Sequence, residues 1–451
     1  MTFANKQVLV LGAGVSGIAV AEVLKNHGAK VTLNDAKPAN LFKNTDFNAI
    51  MKRGIVVKLG SQEEELLDGI DYVVVSPGIS IYIPLIQTAQ QRGITVMSEI
   101  EVAYRLCPAP MLAISGTNGK TTTTTLLGEM LKSTKRDVVV GGNIGLALSK
   151  EVSEVTDQGI VVAEISSFQL EGSIDFHPHI AAILNITPDH LDRHRSMETY
   201  IEMKERIFKS QTQDDYVVLN YDDKIVRAME SKTASQVFFF SRQSELKSGI
   251  FIKDGNIIIA WNGETIKVCR VDQIQLRGGH NLENVLAACA IAFLANVPLG
   301  NIVATVSEFT GVEHRIEMVK TIHDVTYYND SKATNPESSI KALESFPKNI
   351  ILIAGGRDKN TDLTNFMQLI KERVDHFILL GEAAARFKAA AHEHDICNIH
   401  EVASLEDAVK LAHQLATSPQ VVLLSPACAS YDMFTSYEER GTVFKRLVNQ
   451  L

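Results

Sequence analysis

Ala113-Ile-Ser-Gly-Thr-Asn-Gly-Lys-Thr-Thr-Thr-Thr-Thr125 decides how the rest of this 451-residue chain is read. The apolar run Met111 to Ile114 predicts a buried strand, the glycines a tight turn, and the hydroxyl-rich end the first turn of a helix. Gly116 and Gly119 permit a backbone whose N–H groups converge on one place. The helix N-terminus adds unpaired N–H groups and partial positive charge. Lys120 supplies an ammonium, and Thr121 a hydroxyl able to ligate Mg²⁺ beside a triphosphate. The stretch is therefore expected to hold nucleotide phosphate. Its Gly116-x-x-Gly119-Lys-Thr spacing is two residues shorter than the usual G-x-x-x-x-G-K-[ST] loop.

Upstream, residues 1–106 open with a strand, Val8–Leu11, then Gly12-Ala-Gly14-Val-Ser-Gly17, a helix, and a second strand ending in Asn34-Asp35. This is the outline of a dinucleotide fingerprint, a glycine turn for a phosphate with an acid further on. A third strand, Tyr72–Val75, runs into Ser76-Pro77-Gly78. The proline seam Cys107-Pro-Ala-Pro110 marks the boundary. Downstream, residues 107–309 alternate strands (Val138–Val140, Ile160–Ala163, Ile180–Leu184, Tyr216–Leu219) with helices, which predicts a mainly parallel sheet. Four short runs from Val237 to Val268, with Asp254-Gly255 and Asn262-Gly263 between the last three, predict antiparallel hairpins at one side. Residues 310–451 return to alternating strand and helix. The expected fold is α/β in three domains: a Rossmann-like 1–106, a central P-loop-type ATPase domain 107–309 with a mainly parallel sheet and a small antiparallel part, and a Rossmann-like 310–451.

Composition excludes several function classes. Hydrophobic residues make up 45% and charged residues 22%, the values of a globular protein without membrane segments. The 44 Lys and Arg against 53 Asp and Glu give a net charge of −9, which argues against a nucleic-acid binder needing a basic face. Five scattered cysteines with no C-x-x-C pair predict reduced thiols and no zinc site. No signal-peptide pattern precedes Val8, and no apolar run reaches the ~18 residues of a membrane span, so the cytoplasm is the expected compartment.

Strand-end loops carry the remaining chemistry. Glu164 ends a buried strand in the same domain as the phosphate loop, where a Mg²⁺ ligand belongs; a helix-capping acid is the bland alternative. Asn185-Ile-Thr-Pro-Asp-His190-Leu-Asp-Arg-His194 follows the next strand. Its Asp189, His190, Asp192 and His194 resemble a metal cluster but lack the H-E-x-x-H zinc pattern, so auxiliary ligation of Mg²⁺ through His190 is expected. Lys204, beside Glu202 and Glu205, reads as a solvated lysine on a charged helix face. His314-Arg315, Asp330-Ser-Lys332 and Gly355-Gly-Arg-Asp-Lys359 suit anionic ligands, with surface ion pairs as the alternative.

Taken together, Gly116-Thr-Asn-Gly-Lys-Thr-Thr122, Gly142-Asn-Ile-Gly145, Glu164-Ile-Ser-Ser-Phe-Gln-Leu170, Asn185-Ile-Thr-Pro-Asp-His-Leu-Asp192, His280-Asn-x-x-Asn284, Glu313-His-Arg315 and Asp330-Ser-Lys-Ala-Thr-Asn335 resemble the ATP-dependent Mur ligases of bacterial cell-wall synthesis. The likeness spans nearly the whole chain, and the shortened loop is itself a mark of that family. The glycine-rich first domain, Ser76-Pro-Gly78 and Ser425-Pro-Ala-Cys-Ala-Ser430 resemble the D-glutamate-adding branch. The Asp-Asn-Pro-Arg-type motif of the lysine- or diaminopimelate-adding branch is missing.

The resemblance implies that Gly14, Val15, Ser16, Asp35 and Lys37 meet a UDP group in place of NAD, with Gly78 against the pyrophosphate and Asn143 and His190 near the muramoyl portion. It implies ATP on Gly116, Thr117, Asn118, Gly119, Lys120, Thr121 and Thr122, with Asn281 and Asn284 at the adenine and Arg315 and Asp330 closing from the third domain. Two Mg²⁺ ions would engage Thr121, Glu164, His190 and a CO₂-carbamylated Lys204. D-glutamate would meet Lys332, Thr334, Lys359, Ser430 and Tyr437, the last where relatives usually carry Phe. The implied catalytic set is Lys120, Glu164, His190, Lys204 and Lys332. The implied activity is ligation of D-glutamate to UDP-N-acetylmuramoyl-L-alanine by a monomeric enzyme acting on small molecules. Rival readings are the L-alanine-adding branch, which usually has His in place of Asn118, and folylpolyglutamate synthase, which lacks a first domain like 1–106. An NAD(P)-dependent oxidoreductase would leave Lys120, Glu164, His190 and Lys332 without a role, and an ATP-switched binding protein would need no amino-acid pocket.

Overall fold

The computed structural model describes residues 3–42, 45–143, 147–276, 278–358 and 361–451. They form two compact units, 1–273 with 283–307, and 274–282 with 308–451. Three sheets organise them, two in the first unit and one in the second.

The first sheet contains β1 (Gln7–Leu11), β2 (Lys30–Asp35), β3 (Val56–Leu59), β4 (Tyr72–Val75) and β5 (Thr95–Ser98). Its order is β3-β2-β1-β4-β5 and every pair is parallel. Val8 to Leu11 and Tyr72 to Val75 are buried on both faces, as a parallel sheet covered by helices requires. Strand order reverses between β1 and β4, so their carboxyl ends, at Gly12 and Ser76, open the crevice where such sheets take ligands. Sequence periodicity did not reveal β3 and β5, which are four residues each and partly exposed.

The second sheet holds β6 (Met111–Ser115), β7 (Val138–Gly142), β8 (Ile160–Glu164), β9 (Ile180–Ile183), β10 (Tyr216–Asn220), β11 (Gln236–Ser241), β12 (Gly249–Lys253), β13 (Asn256–Trp261) and β14 (Glu264–Arg270). Its order is β14-β13-β12-β11-β10-β9-β6-β8-β7. The expected hairpin group is corrected in part. β11 lies parallel on β10, and β12 parallel on β11, so only β12–β13–β14 are antiparallel. Phe238 and Phe240 of β11 are buried, which makes it a continuation of the parallel core. The two hairpin turns fall at Asp254-Gly255 and Asn262-Gly263, where positive φ at all four residues matches the turn chemistry. Central β6 pairs Ile114 with Glu164 of β8 and Ser115 with Ile183 of β9, bringing three strand ends side by side.

In the second unit, β15 (Glu317–Ile322), β16 (Val325–Asn329), β17 (Ile350–Gly355), β18 (Val374–Leu380), β19 (Ile399–Glu401) and β20 (Val421–Leu424) form the order β15-β16-β20-β17-β18-β19. Only β15 is antiparallel to its neighbour. Central β20 brings the Ser425 turn between those after β16 and β17. Among the described residues no helix is long and apolar enough to cross a membrane.

Candidate active site

β6 ends in a loop that its neighbours hold open. Gly116 has φ +149° and Gly119 φ +87°, conformations that L side chains rarely adopt. The Thr117 N–H donates to Asn185 O at 2.9 Å, and the Asn118 N–H to Asn185 Oδ1 at 2.8 Å. Thr117 Oγ1 meets the Tyr200 hydroxyl at 3.0 Å and donates to Thr187 O at 3.2 Å. The loop is thus pinned to the end of β9. Helix Lys120–Lys132 then starts at Gly119 without a side-chain cap, so its first N–H groups keep their dipole for an anion. Thr121 and Thr122 are buried in that first turn. A Cβ on Gly119 would lie 2.1 Å from Asn284 Oδ1. Gly119→Ala is therefore expected to cost roughly 1–3 kcal/mol of stability and to abolish nucleotide binding, checked by thermal melting and ATP titration.

Two lysines point into this loop from below. Lys120 Nζ donates to Gly116 O at 2.9 Å and to Thr117 O at 2.8 Å. Lys204 Nζ donates to the same Gly116 O at 2.8 Å. Lys204 is 1% exposed, which corrects the reading of a solvated lysine. Helix Met197–Glu205 is capped by Ser196 and turns Tyr200, Met203 and Lys204 inward. Burial, with the Lys120 ammonium beside it, pushes the Lys204 amine well below its ordinary value of 10.5. The opposing pull of Asp189 and Glu164 does not outweigh this.

Glu164 ends β8 at 1% exposure. Asn143 Nδ2 donates to its Oε1 at 2.8 Å, while Oε2 has no hydrogen-bond partner among the described residues. A carboxyl oxygen left so in a buried position suits a hard divalent cation, and the Thr121 hydroxyl belongs to the same kind of donor set. The residues present therefore fit Mg²⁺. His190 caps the short helix Leu191–His194 with φ +54°; its ring lies 4.7 Å from that of Phe168 and 3.5 Å from the Asp189 carboxylate. His194, grouped with it on sequence, is buried, with its ring stacked 5.3 Å from that of Phe168 and Nε2 2.9 Å from Ser167 Oγ. The apparent cluster therefore separates into an outward His190 and a structural His194. Ile144, Gly145 and the Asp192 side chain lie outside the described residues.

At the first sheet's crevice, Gly14, Val15 and Gly78 are exposed, Ser16 half-buried and Lys37 exposed. Val15 is 75% exposed at the start of helix Val15–Asn26, an apolar side chain presented to solvent where a ring could stack. Gly17 could not carry a Cβ, which would fall 1.8 Å from Gly12 O. Asp35 Oδ2 accepts from the Ala13 N–H at 2.8 Å, bracing the glycine turn, and Oδ1 from the Lys37 N–H at 2.9 Å, shaping its own loop.

In the second unit, Asp330, Lys332, Thr334, Ser430 and Tyr437 gather at the ends of β16 and β20. Asp330 Oδ2 accepts from Ser425 Oγ at 2.7 Å, and burial lifts its carboxyl to about 7. Lys332 Nζ lies 5.5 Å over the Tyr437 ring, and the Lys332 N–H donates to His314 O at 3.0 Å, which joins the half-buried Arg315 segment to this loop. Ser430 is buried and its carbonyl turns the chain by accepting from Met433 and Phe434. Lys359 lies outside the described residues. Arg440 went unnoticed on sequence. It is buried, with Nε 2.9 Å from Ser331 Oγ, Nη2 2.8 Å from Ser331 O and Nη1 3.2 Å from Cys428 O, and burial lowers it to about 10. One guanidinium thus joins the Lys332 loop to the Ser430 loop. Asn281 and Asn284 are both buried on helix Gly279–Leu294.

A nucleotide-phosphate loop, an acidic strand end beside it and two further α/β sheets define the class, and the comparisons agree. Three family models match in order: Mur ligase MurD-like N-terminal domain over 6–98, Mur ligase middle domain over 114–292, and Mur ligase glutamate ligase domain over 314–428. The chain belongs to the Mur ligase family. It is 46% identical, over all of both chains, to the UDP-N-acetylmuramoylalanine–D-glutamate ligase of Thermoanaerobacter sp. (strain X514). It is 44% identical, again over all of both chains, to the enzyme of the same name from Caldanaerobacter subterraneus subsp. tengcongensis. Its fold is similar to the crystal structure of a UDP-N-acetylmuramate–alanine ligase from Thermotoga maritima, with TM-score 0.60, 18% identity and 99% of each chain covered.

Proposed function

We propose that this chain is an ATP-dependent ligase that joins D-glutamate to UDP-N-acetylmuramoyl-L-alanine in peptidoglycan precursor synthesis. The observation that carries the reading is full-length identity of 42–46% to curated ligases of that name, on a chain whose phosphate loop and buried Glu164 suit the reaction. The enzyme works on small molecules in the cytoplasm, as a monomer, with domains over 1–106, 107–309 and 310–451.

The substrate's L-alanine carboxylate attacks the ATP γ-phosphorus; a C–O–P linkage forms, the β,γ-bridge breaks, and ADP leaves. The D-glutamate amine then attacks the acyl carbon, loses a proton and expels phosphate through a tetrahedral intermediate. The loop N–H groups from Gly116 to Thr122 and Lys120 bind the ATP phosphates, Asn281 and Asn284 the adenine, and Arg315, Asp330 and Lys332 the phosphate end. Gly14, Val15, Ser16, Asp35, Lys37 and Gly78 bind UDP, and Asn143 and His190 the muramoyl group. Lys332, Thr334, Lys359, Ser430 and Tyr437 hold D-glutamate, with Lys359 facing a carboxylate. Thr121, Glu164, His190 and Lys204 as a carbamate would hold Mg²⁺, which supplies charge neutralisation between carboxylate and triphosphate. A buried amine of low pKa is the form that takes up CO₂, which supports carbamylation at Lys204.

Incubation with Mg-ATP, UDP-N-acetylmuramoyl-L-alanine and hydroxylamine, without any amino acid, is expected to yield ADP and a hydroxamate. No hydroxamate together with no ADP would overturn the acyl-phosphate route.

A further inference from the structure

Arg193 and Glu171 make a contact the activity above does not use. Both belong to the second sheet's loops, yet they grip the turn that follows β4 of the first sheet. The Arg193 guanidinium donates to Pro77 O at 2.7 Å and to Ile79 O at 2.8 Å. It also forms a two-point ion pair with Glu171, Nε to Oε1 at 3.0 Å and Nη2 to Oε2 at 2.6 Å. The two side chains are 14% and 1% exposed, so this is a desolvated pair with its polar atoms matched to backbone. Arg195, two residues on, lies 4.6 Å over the Tyr82 ring and tethers the same turn again.

The other face of the guanidinium looks toward the chemistry. It stacks 4.1 Å over Phe168, whose ring in turn lies 4.7 Å from that of His190. Arg193 is also on the single helical turn that His190 caps. A rigid chain therefore runs from the Pro77-Gly78 turn through Arg193 and Phe168 to His190.

We infer that Arg193, held by Glu171, is a positioning residue that sets the spacing between the diphosphate turn at Gly78 and the acyl-phosphate site at His190 and Glu164. This rests on the reading of Gly78 as the pyrophosphate contact. A substrate anchored at its UDP end delivers its carboxylate to ATP only if that spacing matches its length. A substrate lacking the UDP end has no anchor to be misplaced. Arg193 thus acts on nucleotide-anchored substrate alone.

The test compares Arg193→Lys with the wild type on UDP-N-acetylmuramoyl-L-alanine and on truncated N-acetylmuramoyl-L-alanine, which lacks both phosphates and the uridine, at saturating ATP and D-glutamate. Lysine keeps the charge but cannot reach two carbonyls and two carboxylate oxygens from one plane. The expected result is a loss of about 10²-fold in kcat/KM on the full substrate, with the truncated substrate and the KM for ATP unchanged. Equal losses on both substrates would make Arg193 merely structural and overturn the inference, as would no loss on either. Glu171→Gln carries the same test if the lysine variant melts early, since it keeps the side-chain volume while weakening the two-point grip on Arg193. The wild type separates the two layers of the argument. If it uses both substrates equally well, the pyrophosphate reading of Gly78 fails, and the spacing role falls with it.

Discussion

Glu164→Gln abolishes acyl-phosphate formation, with a loss of at least about 10³-fold, while the protein stays folded and still binds ATP. Glutamine keeps the volume and can still accept the Asn143 amide through its remaining oxygen, so the β7–β8 contact survives. It replaces the unpartnered Oε2, buried among the described residues, with an NH₂ that repels a cation where the carboxylate attracts one. The loss falls on the first step, so hydroxylamine should trap nothing, whereas a defect in D-glutamate binding would leave trapping intact. Wild-type trapping by this variant would contradict the proposed role of Glu164 in holding Mg²⁺.

Lys204→Met has the second large effect, and its two halves point in opposite directions. Activity falls by about 10³-fold, because the anion that the proposed carbamate provides is gone. Stability, measured in CO₂-free buffer, rises. The folded amine sits well below 10.5 while the unfolded one does not, so between those values the unfolded chain binds more protons. Wild-type stability therefore increases as pH climbs toward 10.5 and falls as pH drops toward the folded value. Methionine removes that dependence, so the variant's melting advantage should be present at pH 7 and shrink toward pH 10. An advantage that grew with pH, or normal turnover by the variant, would contradict the account. Adding bicarbonate should raise wild-type activity and leave the variant unchanged.

Lys204 also shows where sequence reading succeeds and where it stops. Its immediate neighbours Glu202 and Glu205 suggest a solvated face, yet Tyr200, Met203 and Ile207 recur at the spacing of a buried stripe, and Lys204 lies on that stripe. The periodic signal was present, but a charge on it looks like an error until the Gly116 carbonyl that receives it is seen. Strands such as β6 and β8 were legible because burial on both faces produces unbroken apolar runs. β15 and β19 were not: each is short or alternates polar residues at a sheet edge. The glycine loop announced itself through conformations only glycine tolerates. Arg193 and Arg440 could not, because each also grips backbone carbonyls remote in the chain, and a carbonyl leaves no mark in the sequence. His194 stands at ligand-like i, i+4 spacing from His190, but spacing alone does not separate a ligand from a histidine bonded to Ser167.

Phosphate release from Mg-ATP with UDP-N-acetylmuramoyl-L-alanine, compared among D-glutamate, L-glutamate, L-alanine and L-lysine, tests the central claim most directly. Release with D-glutamate alone, with a product heavier by one glutamate residue, is the predicted result. Release with another of the four, or with none, would contradict it.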